Sequence, residues 1–264
     1  MTAQVRPLKK YGQIFLRNKY FAEKIVDSLN CIGDDIILEI GPGKGVLTEL
    51  LLQKRHKKLL VVEIDKRLSQ LLIEKFPTGL TIIQDNILNL SFRQIAEKNK
   101  IKLIGNIPYY ITSDIIFKII DNYNYIKCAV LMVQKEVANR LVASIKTKDY
   151  GILTILAGFH GKVSHLFDIT RENFSPVPNV DSSVVHLNFN EPESRDFDYE
   201  LFKRIVKTGF KYRRKMLRNS LKKMDISQDL KHISSISLDK RPEELSIEDF
   251  KLLTNEISKG VYTV

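Results

Sequence analysis

From Asp35 onward, short apolar runs rich in β-forming residues alternate with stretches whose apolar residues recur at helical spacing, and few folds satisfy that alternation. The runs are IILEI, LLVVEID, LTIIQD, IKLIGNIPY and KCAVLMV. Between them, segments such as Val46–Gln53 and Leu68–Phe76 are long enough to cross over between parallel strands. The layout predicts a doubly wound α/β sheet. Thr112 or Ser113 is placed to cap a helix over TSDIIFKIIDN.

Past Tyr150 the pattern changes. ILTILAGFHGKVSHLFDI and SSVVHLNF read as β-like stretches on either side of the proline-containing loop TRENFSPVPNVD, which predicts an antiparallel edge to the sheet. NEPESRD at Asn190–Asp196 has no apolar periodicity and reads as a linker. The expected division is therefore a catalytic domain over 1–190, with a basic arm at 1–20, and a small all-helical domain over 197–264. In the latter, Phe202, Ile205, Val206, Phe210, Leu217 and Leu221 recur at roughly helical spacing.

The formal net charge of +11 suits a polyanionic partner. Tyr199–Met224 holds ten Lys and Arg against one acid, Glu200, whereas a solvated helix face would carry a balanced mixture. Lys207, Lys211, Arg213, Arg214, Lys215 and Arg218 are the residues expected to lie along nucleic-acid phosphates. Cys31 and Cys128 are the two thiols and have no metal-ligand spacing, so neither a disulfide nor a metal site is expected, and a reducing cytoplasm fits. The basic N-terminus has no apolar core segment and no run is long enough to span a bilayer, so export and anchoring are not expected.

Glu39-Ile-Gly-Pro-Gly-Lys-Gly places Gly41, Gly43 and Gly45 between a predicted strand and a predicted helix. Nucleotide sites of several kinds use such a turn, because the backbone must bend sharply and approach a ligand closely. Glu63 and Asp85 end the next two strands, with Ile64 and Asn86 beside them. One carboxylate at each place can accept from ribose hydroxyls and from an adenine amine. Both NAD and S-adenosylmethionine contain adenosine, but the alternating G-x-G-x-G resembles the methyltransferase loop more than a pyrophosphate cradle. S-adenosylmethionine needs no phosphate site, and Glu39 would sit near its cationic methionine end.

Asn106-Ile107-Pro108-Tyr109 follows the fourth of these strands and resembles the N-x-P-Y signature of enzymes that methylate exocyclic amines of bases. An adenine amine is a poor nucleophile, since its lone pair is delocalised into the ring. If Asn106 Oδ1 and the Ile107 carbonyl each accept one N6 hydrogen, the lone pair is freed toward the methyl donor. Pro108 would stiffen the turn and Tyr109 would stack on the extruded base. Phe174 is the candidate for the base's other face, while packing is the expected role of Tyr110. His160 and His165 read as β-edge residues, and no metal is required.

GQIFL, EIGPGKGVLT, VEID, NIPYYIT, MVQKEVANRL, NFSPVPNVDSSVV and FKYRRKMLRNSL occur in order along nearly the whole chain. Together they resemble the KsgA-type ribosomal RNA adenine dimethyltransferases. The resemblance implies a Rossmann-like class I methyltransferase sheet with an antiparallel edge and a helical C-terminal domain. It implies transfer of four methyl groups to two adjacent adenines near the 3′ end of 16S rRNA, by a cytoplasmic monomer acting on an assembling 30S-type particle. By position it assigns Gln13, Ile14, Leu16, Gly41, Glu63, Asp85 and Asn106 to the cofactor. The family usually has Asn or His where Ile14 stands, so only a backbone contact is expected there. The related Erm enzymes of large-subunit rRNA share the catalytic motifs, but VDSSVV and the RRKxxRNSL segment favour the small-subunit branch. A non-catalytic rRNA-binding assembly factor is the competing class.

Overall fold

A computed structural model describes residues 5–96, 98–189, 197–224, 233 and 235–261. An N-terminal arm leads through the two-residue strand β1 (Phe15–Leu16) into α1 (Lys19–Ser28), where Asn18 accepts from the Tyr20 N–H as N-cap. The sheet then builds in alternation: β2 (Ile36–Ile40), α2 (Val46–Leu51), β3 (Lys58–Val62), α3 (Lys66–Lys75), β4 (Thr81–Ile83), α4 (Phe92–Ala96), β5 (Ile101–Asn106), α5 (Thr112–Asp121) and β6 (Ile126–Gln134). All five residues of β2 are buried, the pattern of a strand covered on both faces. Strand order is β4-β3-β2-β5-β6, all parallel, so the order reverses beside β2. Ligand clefts open at the carboxyl ends of strands at such a reversal.

The chain continues through α6 (Lys135–Leu141), α7 (Ile152–His160), β7 (Gly161–Ile169), β8 (Phe174–Ser175) and β9 (Ser182–Phe189). β9 pairs antiparallel with β6 and β7 lies beyond it, which gives the expected antiparallel edge. Apart from this sheet, β1 and β8 pair antiparallel, with Phe15 opposite Ser175 and Leu16 opposite Phe174. Ala22, Ile25, Val26 and Leu29 of the α1 region pack with Ile37, Leu59, Ile104, Val130 and Val184 in the core.

The second compact unit holds α8 (Tyr199–Lys211), α9 (Leu217–Leu221) and α10 (Ile247–Val261). It also takes in Asn139–Gly161, which differs from the division expected at residue 190. The cause is α7, in a stretch read as β-like from its apolar run. A helix buried nearly all round shows no polar stripe, so its periodicity is hidden. Gly151 and Thr154 start it: the Thr154 hydroxyl accepts from the Gly151 N–H at 3.2 Å and donates to the Arg140 carbonyl at 2.5 Å. The helix packs against α8 and α10, with Phe159 in a ring cluster with Phe197, Tyr199 and Phe202. His160, expected at a β edge, is therefore a buried helix-end residue, while His165 does lie on β7 and contacts Asp168 at 2.7 Å. The expected linker Asn190–Asp196 lies outside the described residues.

The basic segment FKYRRKMLRNSL is not one helix. α8 ends at Lys211, a turn follows, and α9 starts after Met216, its first amides donating to the carbonyls of Lys240 and Leu238 at 2.9 Å.

Candidate active site

The loop between β2 and α2 holds Gly41, Gly43 and Gly45 at φ values of +63°, +58° and +78°. Two of them have further reasons to lack a side chain. A Cβ on Gly45 would lie 2.7 Å from the Phe76 ring and 2.9 Å from Leu72 Cδ2. One on Gly43 would press the Phe15 ring at 3.0 Å, while the Gly43 N–H donates to Glu63 Oε2 at 3.3 Å. The loop lines a cleft of about 1020 Å³, counting the space open to solvent, together with the arm from Tyr11 to Leu16, the ends of β3 and β4, and the turn from Asn106 to Ile111.

The cleft is acidic. Its charged lining residues are Glu39, Glu63 and Asp85 against Lys44, whose ammonium lies 5.1 Å from the Phe15 ring centroid. Glu63 is 5% exposed; its Oε1 accepts from the Asp65 N–H at 2.9 Å, and burial pushes its pKa up. Glu39 is 1% exposed and accepts from the Thr48 hydroxyl at 2.6 Å. Burial pushes the Glu39 carboxyl up to about 8, the Thr48 bond opposes this, and the Glu63 charge adds to it. Asp85 Oδ1 takes the Asn86 N–H and the Asn89 side-chain amide at 2.6 and 2.9 Å. Glu63 and Asp85, set at two strand ends beside the glycine loop, are placed to accept hydrogen bonds from an adenosine.

Not every residue expected at the cofactor offers its side chain there. Gln13 spends its amide fastening the arm, donating to Asp65 Oδ2 at 2.8 Å and accepting from the Leu8 N–H at 2.7 Å. Asp65, held down to about 2 by Arg67 first and by Gln13 as well, is the arm's anchor. Asn86 caps the short turn Ile87–Asn89 by accepting from the Leu88 N–H at 3.0 Å. Leu16 ends the arm with its side chain buried in the core, and Ile64 is exposed at the lip.

At the end of β5 the Ile107 N–H donates to the Met132 carbonyl at 3.0 Å, which carries the β5–β6 pairing one step past the strand. Asn106 Nδ2 donates to the Ile14 carbonyl at 2.7 Å. A carbonyl accepts from the NH2 end only, so Ile14 sets which way the carboxamide faces. Asn106 Oδ1 accepts from no described residue. Thr112 is not a cap; its hydroxyl reaches back to the carbonyls of Pro108 and Tyr109 at 3.0 and 3.2 Å, which braces the turn. Tyr109 is half-buried, its hydroxyl 2.7 Å from Ser182 Oγ on β9.

Two aromatic expectations exchange places. Phe174, expected against the base, is 1% exposed, lies in the core under the arm and does not line the cleft. Tyr110, expected to pack, is 56% exposed and does line it. Sequence reading also missed the Gln13–Asp65 anchor and the Tyr109–Ser182 contact, whose partners lie far apart in the chain.

In the second unit Lys207, Lys211, Arg214, Lys215 and Arg218 are exposed. Arg213 is half-buried and already engaged: it bonds Glu243 Oε2 at 2.5 Å and the carbonyls of Lys148 and Thr147 at 2.7 and 2.9 Å. Arg218 pairs with Asp239.

A switch-point cleft with an alternating-glycine loop, acidic strand ends and an Asn-Ile-Pro-Tyr turn after β5 defines the class I methyltransferase fold. A profile of the ribosomal RNA adenine dimethylases matches residues 6–259, and the chain belongs to that family. It is 39% identical over 258 residues to ribosomal RNA small subunit methyltransferase A of Bacteroides fragilis, covering 97% of this chain and 94% of that protein. Among solved structures, a dimethyladenosine transferase from Plasmodium falciparum matches with a TM-score of 0.79 and 29% identity, over 93% of this chain and 98% of that one. The 23S rRNA methyltransferase ErmE shares the fold, with a TM-score of 0.70 and 24% identity over 92% of this chain and 99% of its own.

Proposed function

We propose that this protein transfers methyl groups from S-adenosylmethionine to the N6 amines of two adjacent adenines near the 3′ end of small-subunit rRNA, acting as a cytoplasmic monomer on the assembling 30S-type particle. The observation that carries the mechanism is the Asn106 carboxamide, fixed by the Ile14 carbonyl with Oδ1 left to accept. Oδ1 and the Ile107 carbonyl each take one N6 hydrogen, which draws the nitrogen toward sp³ geometry and frees its lone pair. When bound, S-adenosylmethionine supplies a methyl group already activated by a positive sulfur. The N6 nitrogen would take that methyl group as the sulfonium leaves as a neutral thioether, and its surplus proton would pass to solvent at the mouth of the cleft. The work left to Asn106, Ile107 and Tyr109 is therefore positioning and desolvation of the amine.

For the cofactor, Glu63 is the acceptor for the ribose hydroxyls, Asp85 for the adenine amine, and Glu39 lies toward the cationic end. Gly41, Gly43, Gly45, Ile64, Asn86 and the backbone of Gln13 and Ile14 wall the cleft, with Leu16 supporting the arm. Tyr109 stacks on the extruded adenine, its ring held by Ser182. Lys207, Lys211, Arg214, Lys215 and Arg218 supply salt-sensitive contacts to phosphates. Arg218 keeps this role because its exposed ion pair with Asp239 is cheap to exchange.

The test is methyl transfer from labelled cofactor to unmethylated small subunits, followed by primer extension to locate the modified bases. Asn106→Ala should lose roughly 10²–10³-fold in kcat, the cost of removing one such stabilising group. Polymerase stops in large-subunit rRNA would move the activity to the Erm branch. Tight subunit binding without transfer would make the chain an assembly factor.

A further inference from the structure

Tyr110 presents its ring to the cleft and leaves 56% of its surface in water, and its hydroxyl bonds no described residue. Single exposed aromatics are ordinary on proteins. This one differs by its place: it follows Tyr109 directly and is seated on Gly12, where a Cβ would fall 3.0 Å from its ring. Gly12 sits at φ +56°, so the bare backbone beneath the ring is a built feature of the arm. Beside it the arm brings Tyr11 into the same lining, with the Lys10 ammonium 4.6 Å from the Tyr11 centroid and exposed Lys9 next to it. Stackable rings interleaved with cations are what a single-stranded nucleic acid binds.

Tyr109 and Tyr110 open a turn of 3₁₀ helix over Tyr109–Ile111. With three residues per turn, successive side chains diverge by about 120°. The two rings therefore cannot face each other across one purine. Tyr109 has its hydroxyl drawn to Ser182 and takes the target; Tyr110 is left for a different base.

We infer that Tyr110 is the stacking platform for the nucleotide next to the target adenine, so that the site holds two consecutive bases of the substrate RNA on consecutive tyrosines. This rests on the proposed activity and adds a residue that sets which neighbour the target must have. Adjacent adenines would occupy the pair of rings in turn.

The experiment compares wild type, Tyr110→Ala and Tyr110→Phe in steady-state methyl transfer. The substrates are intact small-subunit rRNA particles and particles with an abasic residue at one or the other position flanking the target. On intact particles Tyr110→Ala should raise KM for the particle by roughly 5- to 150-fold, the range of one lost base stack, with kcat little changed, and Tyr110→Phe should match wild type. On particles abasic at the stacked position wild type should fall to the level of Tyr110→Ala, with no additional loss in the variant. A Tyr110→Ala penalty of equal size on every particle, or no penalty at all, overturns the assignment while the activity stands. A wild-type protein that transfers no methyl group to intact particles sinks the activity and this inference together.

Discussion

Replacing Glu39 by Gln should make the catalytic unit markedly more stable at pH 8 and change it by only about 1 kcal/mol at pH 5. Glu39 sits in the middle of the apolar run IILEI, 1% exposed, and titrates at about 8 in the folded protein against 4.5 in an open chain. The folded state favours its neutral form. Stability is therefore complete below pH 4.5 and is lost as the pH rises through 8, at up to ~1.4 kcal/mol per pH step. Integrated from pH 5 to 8 the loss is about 3.5 kcal/mol, a substantial part of the roughly 5–15 kcal/mol that holds a domain folded. Gln has the same shape, still accepts from the Thr48 hydroxyl, and never ionises. His160 in the other unit acts with the opposite sign, since burial, with Lys203 and Lys251 adding, pushes it down to about 3, and it costs stability as pH falls below its ordinary range. The difference between wild type and Glu39→Gln cancels that contribution. Urea unfolding at pH 5, 6.5 and 8, followed by circular dichroism, measures the gap. A gap that stays constant within about 0.5 kcal/mol across the series would refute the argument, because no site buried neutral could then be titrating in that window.

Asp35→Ala should lower the melting temperature by roughly 10 °C, because a buried ion pair broken on one side costs about 3–5 kcal/mol. Its partner Lys102 is 2.8 Å away with both side chains 6% exposed, and would keep only the carbonyls of Leu29 and Asn30. Adding Lys102→Met should recover most of the loss in calorimetry, and a single variant that melts within 1 °C of wild type would count against the pairing. Arg213→Ala should destabilise the helical unit by about 2 kcal/mol, since three bonds from one guanidinium are lost at a half-buried site. It should leave the salt dependence of particle binding unchanged, whereas removing Lys211 or Lys215 should each flatten that slope by nearly one.

The parallel sheet was legible because its inner strands are covered on both faces and so read as apolar runs, while β4 at the edge is at most half-buried. Ile36–Ile40 and Ile126–Gln134 could not have been mistaken for exposed edges. The same signal misled at Ile152–His160, where a helix buried nearly all round imitates a buried strand and only flanking Gly151 and Gly161 mark its length. The glycine loop, Glu63 and Asn106 were legible because their chemistry depends on residue type at fixed spacing. Arg213 and Phe174 were misread for the opposite reason, and Gln13 lines the cleft as expected but turns its side-chain amide to Asp65. A cation in a basic run, an amide in a recognised motif and a ring in a proline loop look functional locally. Their roles are set by partners such as Glu243, Asp65 and Leu16, which sequence spacing does not bring together.

Ile14 shows how a site can depart from its family's motif without losing the contact that matters. The group that orients Asn106 is the carbonyl of residue 14, and every amino acid has one. What must be preserved is the position of that carbonyl, and this is secured on both sides. Gln13 ties the preceding residue to Asp65 on the β3–α3 turn, and the Phe15–Leu16 strand ties the following ones to β8. With the backbone held at two points, an apolar side chain at position 14 adds contact with the core in place of a polar contact with ligand. The constraint on the arm therefore falls on Gln13, Gly12 and Leu16, while position 14 is free to vary so long as the strand pairing around it holds.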